Sequence, residues 1–388
     1  SKLVPGDSAS NDEFGVSVAA MNDSVLVGAQ KNDNKYGGAD FGSVYIFTSL
    51  NGSWVQANRI VAVDGETSDY FGNSVSVLSD SSYVVGSYGD DDTLSDSGSA
   101  YIFTYYTYRG SSSWVQEDKL VASDGSTDDY FGYAVSNLGD SSVLVGAYLA
   151  DMTPSSNTGA AYVFTSALGS WVQANKVVAS DGASEDRLGM SVGGLSSTCF
   201  IVGAAYDDEL GSNSGSIYVF TSSSGTWVQA VKLTASDGAY DDRLGFGLSG
   251  LDSYSFVAGA YGSDAVTYNA GAAYIFTSSS GSWAQVAKVV ASDGADSDYF
   301  GRSSAGITNK LFAVGAYMDD SSGSAYAFTL EDGSWVQTNK ILPEANSSSA
   351  YFGFALSGIN QDSLVIGASY GNSSQSGGAA YIFTRGSP

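Results

Sequence analysis

The sequence predicts an all-β fold, a seven-bladed β-propeller built of four-stranded antiparallel blades. Three observations predict it. A Phe-Gly or Leu-Gly pair recurs at Phe14, Phe71, Phe131, Leu188, Leu244, Phe300 and Phe352, at intervals of 52 to 60 residues along the 388-residue chain. Between these pairs, short runs rich in Val, Ile, Tyr, Phe and Trp alternate with clusters of Gly, Asp, Ser and Asn, a pattern of strands and turns with no competing helical period. Seven copies of a four-strand unit are what a closed propeller takes. One repeat fills the sequence, so residues 1–388 are read as a single domain.

Residues 227–277 give the clearest copy, with strands expected at Trp227–Leu233, Leu244–Leu251, Ser253–Ala260 and Ala272–Thr277. We label them by motif. Strand A opens with Phe/Leu-Gly. Strand B ends in Gly-Ala or Gly-Ser, at Gly28, Gly86, Gly146, Gly203, Gly259, Gly315 and Gly367. Strand C carries a tyrosine, at Tyr45, Tyr101, Tyr162, Tyr218, Tyr274, Tyr326 and Tyr381. Strand D carries Trp-Val/Ala-Gln followed by Lys or Arg, at Arg59, Lys119, Lys176, Lys232, Lys288 and Lys340. As D is the outermost strand, a cation there reads as a guard against edge-to-edge pairing, and its Trp as packing on the neighbouring strand.

The seventh unit has no D strand of its own after strand C at Tyr381–Thr384. Lys2-Leu3-Val4 matches the second half of a D strand, so Ser1–Val4 is expected to pair beside Tyr381 and Phe383 and close the ring. The unfilled Trp half of that position is also a place where another molecule's strand can add.

Composition excludes several classes of function. The chain has no His and one Cys, Cys199. That removes Ser-His and Cys-His nucleophilic catalysis, the usual zinc sites and any intrachain disulfide. A net charge of −26 argues against nucleic acid and anionic membrane surfaces as partners, and no apolar run is long enough to insert into a membrane. The chain opens at Ser1, which reads as a processed or partial chain. Antiparallel alternation puts the D-to-A and B-to-C loops on one face, and most of the 41 acidic residues lie in them. That face reads either as a docking surface for a cation or basic partner or as a solvating surface. Within the D-to-A loops, paired aspartates recur as Asp64/Asp69, Asp124/Asp129, Asp181/Asp186, Asp237/Asp242 and Asp293/Asp298, a repetition that points to turn architecture.

The Phe-Gly, Gly-Ala and Gly-Ser/Ala-x-Tyr-Ile/Val-Phe series resembles the FG-GAP repeat of the integrin α-subunit propeller, and more closely its secreted microbial and algal form. The likeness covers essentially the whole chain. In the integrin type a D-x-D-x-D-G calcium loop separates the first two strands. Here that loop is short, as in Leu78-Ser79-Asp80-Ser81, with too few oxygens for calcium. No cofactor is therefore expected, and weak calcium binding is confined to the acidic-face candidates Asp90, Asp91, Asp92, Asp207 and Asp208. The resemblance implies an extracellular, non-enzymatic structural or adhesion protein that contacts protein partners, copies of itself in a filament or layer, or glycans. Sequons at Asn22, Asn51, Asn346 and Asn372 agree with a secreted chain.

The alternatives are a lectin-like glycan binder and a propeller glycosidase. A sialidase-like site needs clustered Arg, and the six Arg residues occupy different repeat positions. Arg187 and Arg243 stand where other units have Tyr, which reads as surface drift. The Tyr105-Tyr106-Thr107-Tyr108 insertion in the second unit is the most distinctive loop and a candidate contact surface.

Overall fold

Each repeat folds as an antiparallel sheet in the order A-B-C-D, and seven such sheets stand in a ring. The structure, a computed structural model, describes all residues except 22, 34–37, 140, 153–154, 168, 344–348, 372–376 and 386–388, with only the backbone for 349, 350 and 371. In the fifth blade the strands are Leu244–Asp252, Ser255–Ala260 and Ala272–Ser279, closed outside by Ser282–Val289. The expected run Trp227–Leu233 is the outer strand of the fourth blade, Thr226–Leu233. Among the described residues the one helical piece is a single 3-10 turn, Asp319–Ser321. Strand A follows the inner wall and strand D the outside.

The recurrent glycines meet across the seams between blades. The Phe/Leu of each blade forms a parallel bridge to a Gly before strand C of the preceding blade, as in Gly271↔Phe300, and Gly378↔Phe14 closes the circle. Beside it, a Cβ built on Gly259 would lie 1.8 Å from the carbonyl oxygen of Gly301, and one on Gly86 would lie 1.9 Å from that of Gly132. Backbone therefore packs on backbone, and only Gly at the end of strand B permits it. The two motif glycines thus serve one contact, made by residues of neighbouring units.

The apolar core lies in those same seams. All seven Phe/Leu residues of the motif are fully buried. Phe300 meets the ring of Tyr326 edge-on at 5.5 Å, the geometry aromatic quadrupoles favour. The outer Trp residues cover the core as expected: Trp227 packs on Phe200 at 4.5 Å and Trp335 on Phe312 at 4.7 Å. The Gln of Trp-Val-Gln has a role that the sequence did not disclose. Gln229 Oε1 accepts the backbone N–H of Ser180 in the preceding D-to-A loop at 2.8 Å, and Gln56, Gln116, Gln173, Gln285 and Gln337 repeat the contact.

The N-terminus closes the ring as expected. Lys2–Leu3 pairs with Ala379–Thr384 in the register Lys2↔Tyr381 and Leu3↔Ala380. Ser1 exchanges backbone hydrogen bonds with Ile382 at 2.7 and 2.8 Å. Val4 is half exposed and outside the strand, and Phe383 lies beyond the last paired position. A groove of about 520 Å³ remains beside Phe383, Leu364 and Ile307, where a full D strand would otherwise continue.

Candidate functional site at the channel mouth

The repeated charges are mostly structural. Lys232 Nζ lies 2.8 Å from Asp181 in the preceding D-to-A loop and 2.9 Å from both Asp207 and Glu209 in its own blade. It also sits over the ring of Tyr218, whose single hydroxyl proton is shared between Asp181 and Asp207, with oxygens at 3.0 and 2.9 Å. Lys119 joins Asp64, Asp90 and Asp92 in the same way, and Lys340 joins Asp293, Asp319 and Asp320. The edge-guard reading of these lysines is therefore corrected: each clamps one blade to the next. The ammonium groups hold Asp64, Asp124, Asp181, Asp237 and Asp293 below the usual carboxylate range despite desolvation.

The second aspartate of each pair fixes the turn, as expected. Asp69, Asp129, Asp186, Asp242 and Asp298 each accept the backbone N–H three residues earlier, at 2.6 to 2.9 Å. All five are buried. Burial pushes Asp69 up to about 7 and Asp186 up to about 6, against the opposing backbone hydrogen bond.

Of the calcium candidates, Asp90 and Asp92 surround Lys119, and Asp207 is held by Lys232, Ser216 and Tyr218. Asp208 accepts the N–H of Asn213 at 2.7 Å, and Asp91 is exposed. At Asp90, Asp92 and Asp207 an ammonium group thus takes the place a metal would need, and among the described residues no cluster of three or more His, Cys, Asp or Glu is placed to hold an ion. Asn51 lies exposed in the turn between strands C and D of the first blade; Asn22, Asn346 and Asn372 fall outside the described residues.

The residues that differ from blade to blade converge on the central channel. Strand A delivers two of them per blade, the residue before Phe/Leu and the residue after Gly. The first of these has a left-handed backbone in all seven blades: Glu13, Tyr70, Tyr130, Arg187, Arg243, Tyr299 and Tyr351, with φ between 55° and 72°. Gly adopts that conformation more cheaply, and a bulky side chain there costs about 1 kcal/mol. Large side chains are nonetheless present at every one.

The six aromatic and arginine residues among them form, with neighbouring rings, a set of stacked and edge-on groups at the mouth on the D-to-A loop face, and Glu13 pairs with Lys31 there. Tyr70 stacks on Tyr88 at 4.9 Å, and Tyr133 meets Tyr148 at 4.5 Å. Tyr299 stacks on Tyr317 at 5.6 Å. The drift reading of the arginines is corrected here. The Arg187 and Arg243 guanidinium groups lie 4.3 and 5.4 Å from the Tyr206 ring. Each has a carboxylate partner at 2.9 Å, Glu185 and Asp241 respectively. Arg302, one blade on, is held between the rings of Phe246 and Phe354 at 4.3 and 4.4 Å. Three of the six arginines, scattered over repeat positions in sequence, thus serve one mouth.

Below the mouth the channel has a volume of about 330 Å³, and among the described residues that line it Arg302 is the one charged side chain. At the opposite end, the inserted hairpin of the second blade, Ser99–Tyr108 with Ser111–Leu120, exposes Tyr105, Tyr106 and Tyr108, as its sequence led us to expect. Cys199 is partly buried in strand B, and desolvation pushes its thiol up to about 11, the state of an inert thiol.

Comparison with known proteins agrees with this architecture. The FG-GAP repeat matches at residues 1–47, 54–103, 114–164, 171–220, 227–276, 283–328 and 335–383. The chain belongs to the FG-GAP repeat family. No curated protein matches it. Among solved structures it is similar to a putative 6-phosphogluconolactonase from Bacteroides fragilis, at 10% identity over 93% of this chain and 89% of that one, with a TM-score of 0.56. At that identity the likeness is one of fold alone. Within the FG-GAP repeats, the matched segments include the structural Lys-Tyr-Asp clamps and the varied mouth residues alike. No helix among the described residues is long and apolar enough to cross a membrane.

Proposed function

We propose that this FG-GAP propeller is a non-enzymatic extracellular adhesion or scaffold protein that engages its partner at the mouth of the central channel. One observation carries the reading. Groups with a structural task repeat around the ring, whereas the strand A side chains that break the repeat gather at a single place. A recognition site needs such asymmetry, because seven identical blades offer no unique set of contacts. The mouth is also built for contact, with half-buried aromatic rings and stacked guanidinium groups of the kind that anchor interfaces. The repeated carboxylates are committed to lysine, tyrosine and backbone partners, which leaves no differentiated pair for glycoside hydrolysis.

The test is retention of purified protein on films of extracellular polysaccharide and of matrix protein. Tyr88→Ala with Tyr148→Ala is expected to weaken retention by about tenfold, the effect of losing one or two aromatic anchors. Tyr105→Ala with Tyr106→Ala at the opposite end is expected to leave it unchanged. The reverse pattern moves the contact to the hairpin, and turnover of a film by the protein refutes the non-enzymatic reading.

A further inference from the structure

We propose that the channel below the mouth is a binding site for a singly charged acidic sugar, with Arg302 taking its carboxylate or sulfate. This rests on the mouth being the binding end, and adds the chemistry of the ligand.

Arg302 is the starting point. In a chain of net charge −26, it is a guanidinium that, among the described residues, has no ion-pair partner and faces a channel lined by no carboxylate. Its guanidinium carbon lies over the rings of both Phe246 and Phe354, at 4.3 and 4.4 Å. Stacking fixes the planar group while leaving its in-plane N–H edge, the fork that matches an oxyanion with two parallel hydrogen bonds. Because the rings have already restricted the side chain, little rotamer freedom remains to be lost on binding.

The surroundings select a carbohydrate. The lining carries the rings of Tyr88 and Tyr133, a larger number of aliphatic side chains, and hydroxyl and amide groups such as Gln30, Ser74 and Ser304. A sugar ring presents apolar C–H faces to aromatic rings and hydroxyls to groups of this kind. A volume of about 330 Å³ lies at the small end of ligand sites and suits one or two rings.

The charge balance limits the ligand to one negative group. Arg187 and Arg243 are paired with Glu185 and Asp241, so among the described residues Arg302 is the one mouth cation without a carboxylate partner. The field of the whole chain repels polyanions such as nucleotides. One carboxylate or one sulfate, held within a Debye length of Arg302, satisfies both conditions.

Calorimetric titration of the full chain in 0.15 M salt, where that field is screened beyond about 8 Å, tests the inference. The probes are glucuronate, galactose 6-sulfate and neutral glucose. The unsubstituted protein is expected to bind at least one acidic sugar with a Kd of about 1 mM and glucose at least tenfold more weakly. The stronger of the two acidic probes assigns carboxylate or sulfate. Arg302→Gln is expected to weaken acidic-sugar binding by about tenfold or more. Arg302→Lys, which keeps the charge without the fork, is expected to fall between. Thermal melts of both variants establish that they are folded.

Equal binding of glucose and the acids, unchanged binding in Arg302→Gln, or no binding of either acid each overturns the inference. If film retention still depends on Tyr88 and Tyr148 in those cases, only the acidic-sugar assignment fails. If retention is indifferent to the mouth, the broader reading fails with it.

Discussion

Replacing Asp69 and Asp186 together by Asn is expected to flatten a pH dependence of stability that the fold builds into its inter-blade turns. Both carboxylates are buried. Each accepts one backbone N–H, from Glu66 and Ala183 at 2.6 Å, and Asp69 Oδ1 has no partner among the described residues. Burial without a counterion penalises the charged form. Raising Asp69 from 3.8 to about 7 penalises the ionised folded state by about 4 kcal/mol at 1.36 kcal/mol per pH unit. Raising Asp186 to about 6 adds about 3 kcal/mol on the same scale. Hydration of the turns lowers both, and about half of the total, ~3–4 kcal/mol, is a working figure.

Between pH 8 and 5 the folded chain takes up protons at these sites while the unfolded chain, with ordinary carboxylates, does not. Stability therefore rises as pH falls through that window. Asp64, Asp124, Asp181, Asp237 and Asp293 act in the opposite sense. Their values are lowered in the fold, so their contribution is present above the ordinary carboxylate value and is lost as pH falls below about 4. Maximum stability is expected at about pH 4–5.

Between pH 8 and 5 Asp69 recovers about 2 pH units of its shift and Asp186 about 1, which is about 2 kcal/mol after the same halving. With an unfolding entropy of about 2.1 cal/mol/K per residue, the 388-residue chain should gain ~2–3 °C in Tm over that window on account of these two sites. The assay is Tm by circular dichroism at constant ionic strength. In the double Asn variant each side-chain carbonyl still accepts the turn N–H, so the turn is kept. The variant should melt above the parent at pH 8 and show a flatter slope. A slope equal to the parent's would refute the reasoning and assign the effect to general repulsion within a chain of net charge −26.

Two further predictions concern the ring. Gly259→Ala places a Cβ 1.8 Å from the Gly301 carbonyl oxygen and should destabilise by about 3 kcal/mol or more through forced separation of backbones. Gly281→Ala, in an open turn with nothing within 4 Å, should cost only its left-handed backbone penalty of about 1 kcal/mol; equal shifts in denaturant midpoint would contradict the seam packing. Deleting residues 1–6 removes the strand paired at Lys2↔Tyr381 and the backbone bonds of Ser1, and exposes the Ala379–Thr384 edge. A lower Tm with concentration-dependent aggregation by light scattering is expected, and an unchanged melt would show that the ring does not depend on this closure.

What the sequence by itself determined is local and periodic. Strand and turn propensities are properties of a few adjacent residues, so Leu244–Leu251 and Ala272–Thr277 were legible within one or two residues of the structural strands. The sevenfold recurrence then dictated the number of blades, and the half-strand Lys2-Leu3-Val4 identified its own partner by matching other D strands. The tertiary structure decided what depends on two units at once. Gly259 and Gly301 belong to different repeats, and nothing in either motif states that one packs on the other. Lys232 is seen in sequence as an edge cation, yet its carboxylate partners come from the preceding loop and from its own B-to-C loop.

The mouth is the extreme case. Arg187, Arg243 and Arg302 lie more than fifty residues apart, and only ring closure brings their strands to one axis. The sequence did hold a signal for it. The residue before Phe/Leu and the residue after Gly vary while their neighbours repeat, and both lie at the inner end of strand A. Reading variation at a fixed repeat position, alongside the repeated residues, locates such a site, because in a propeller the innermost strand of every blade faces the same axis.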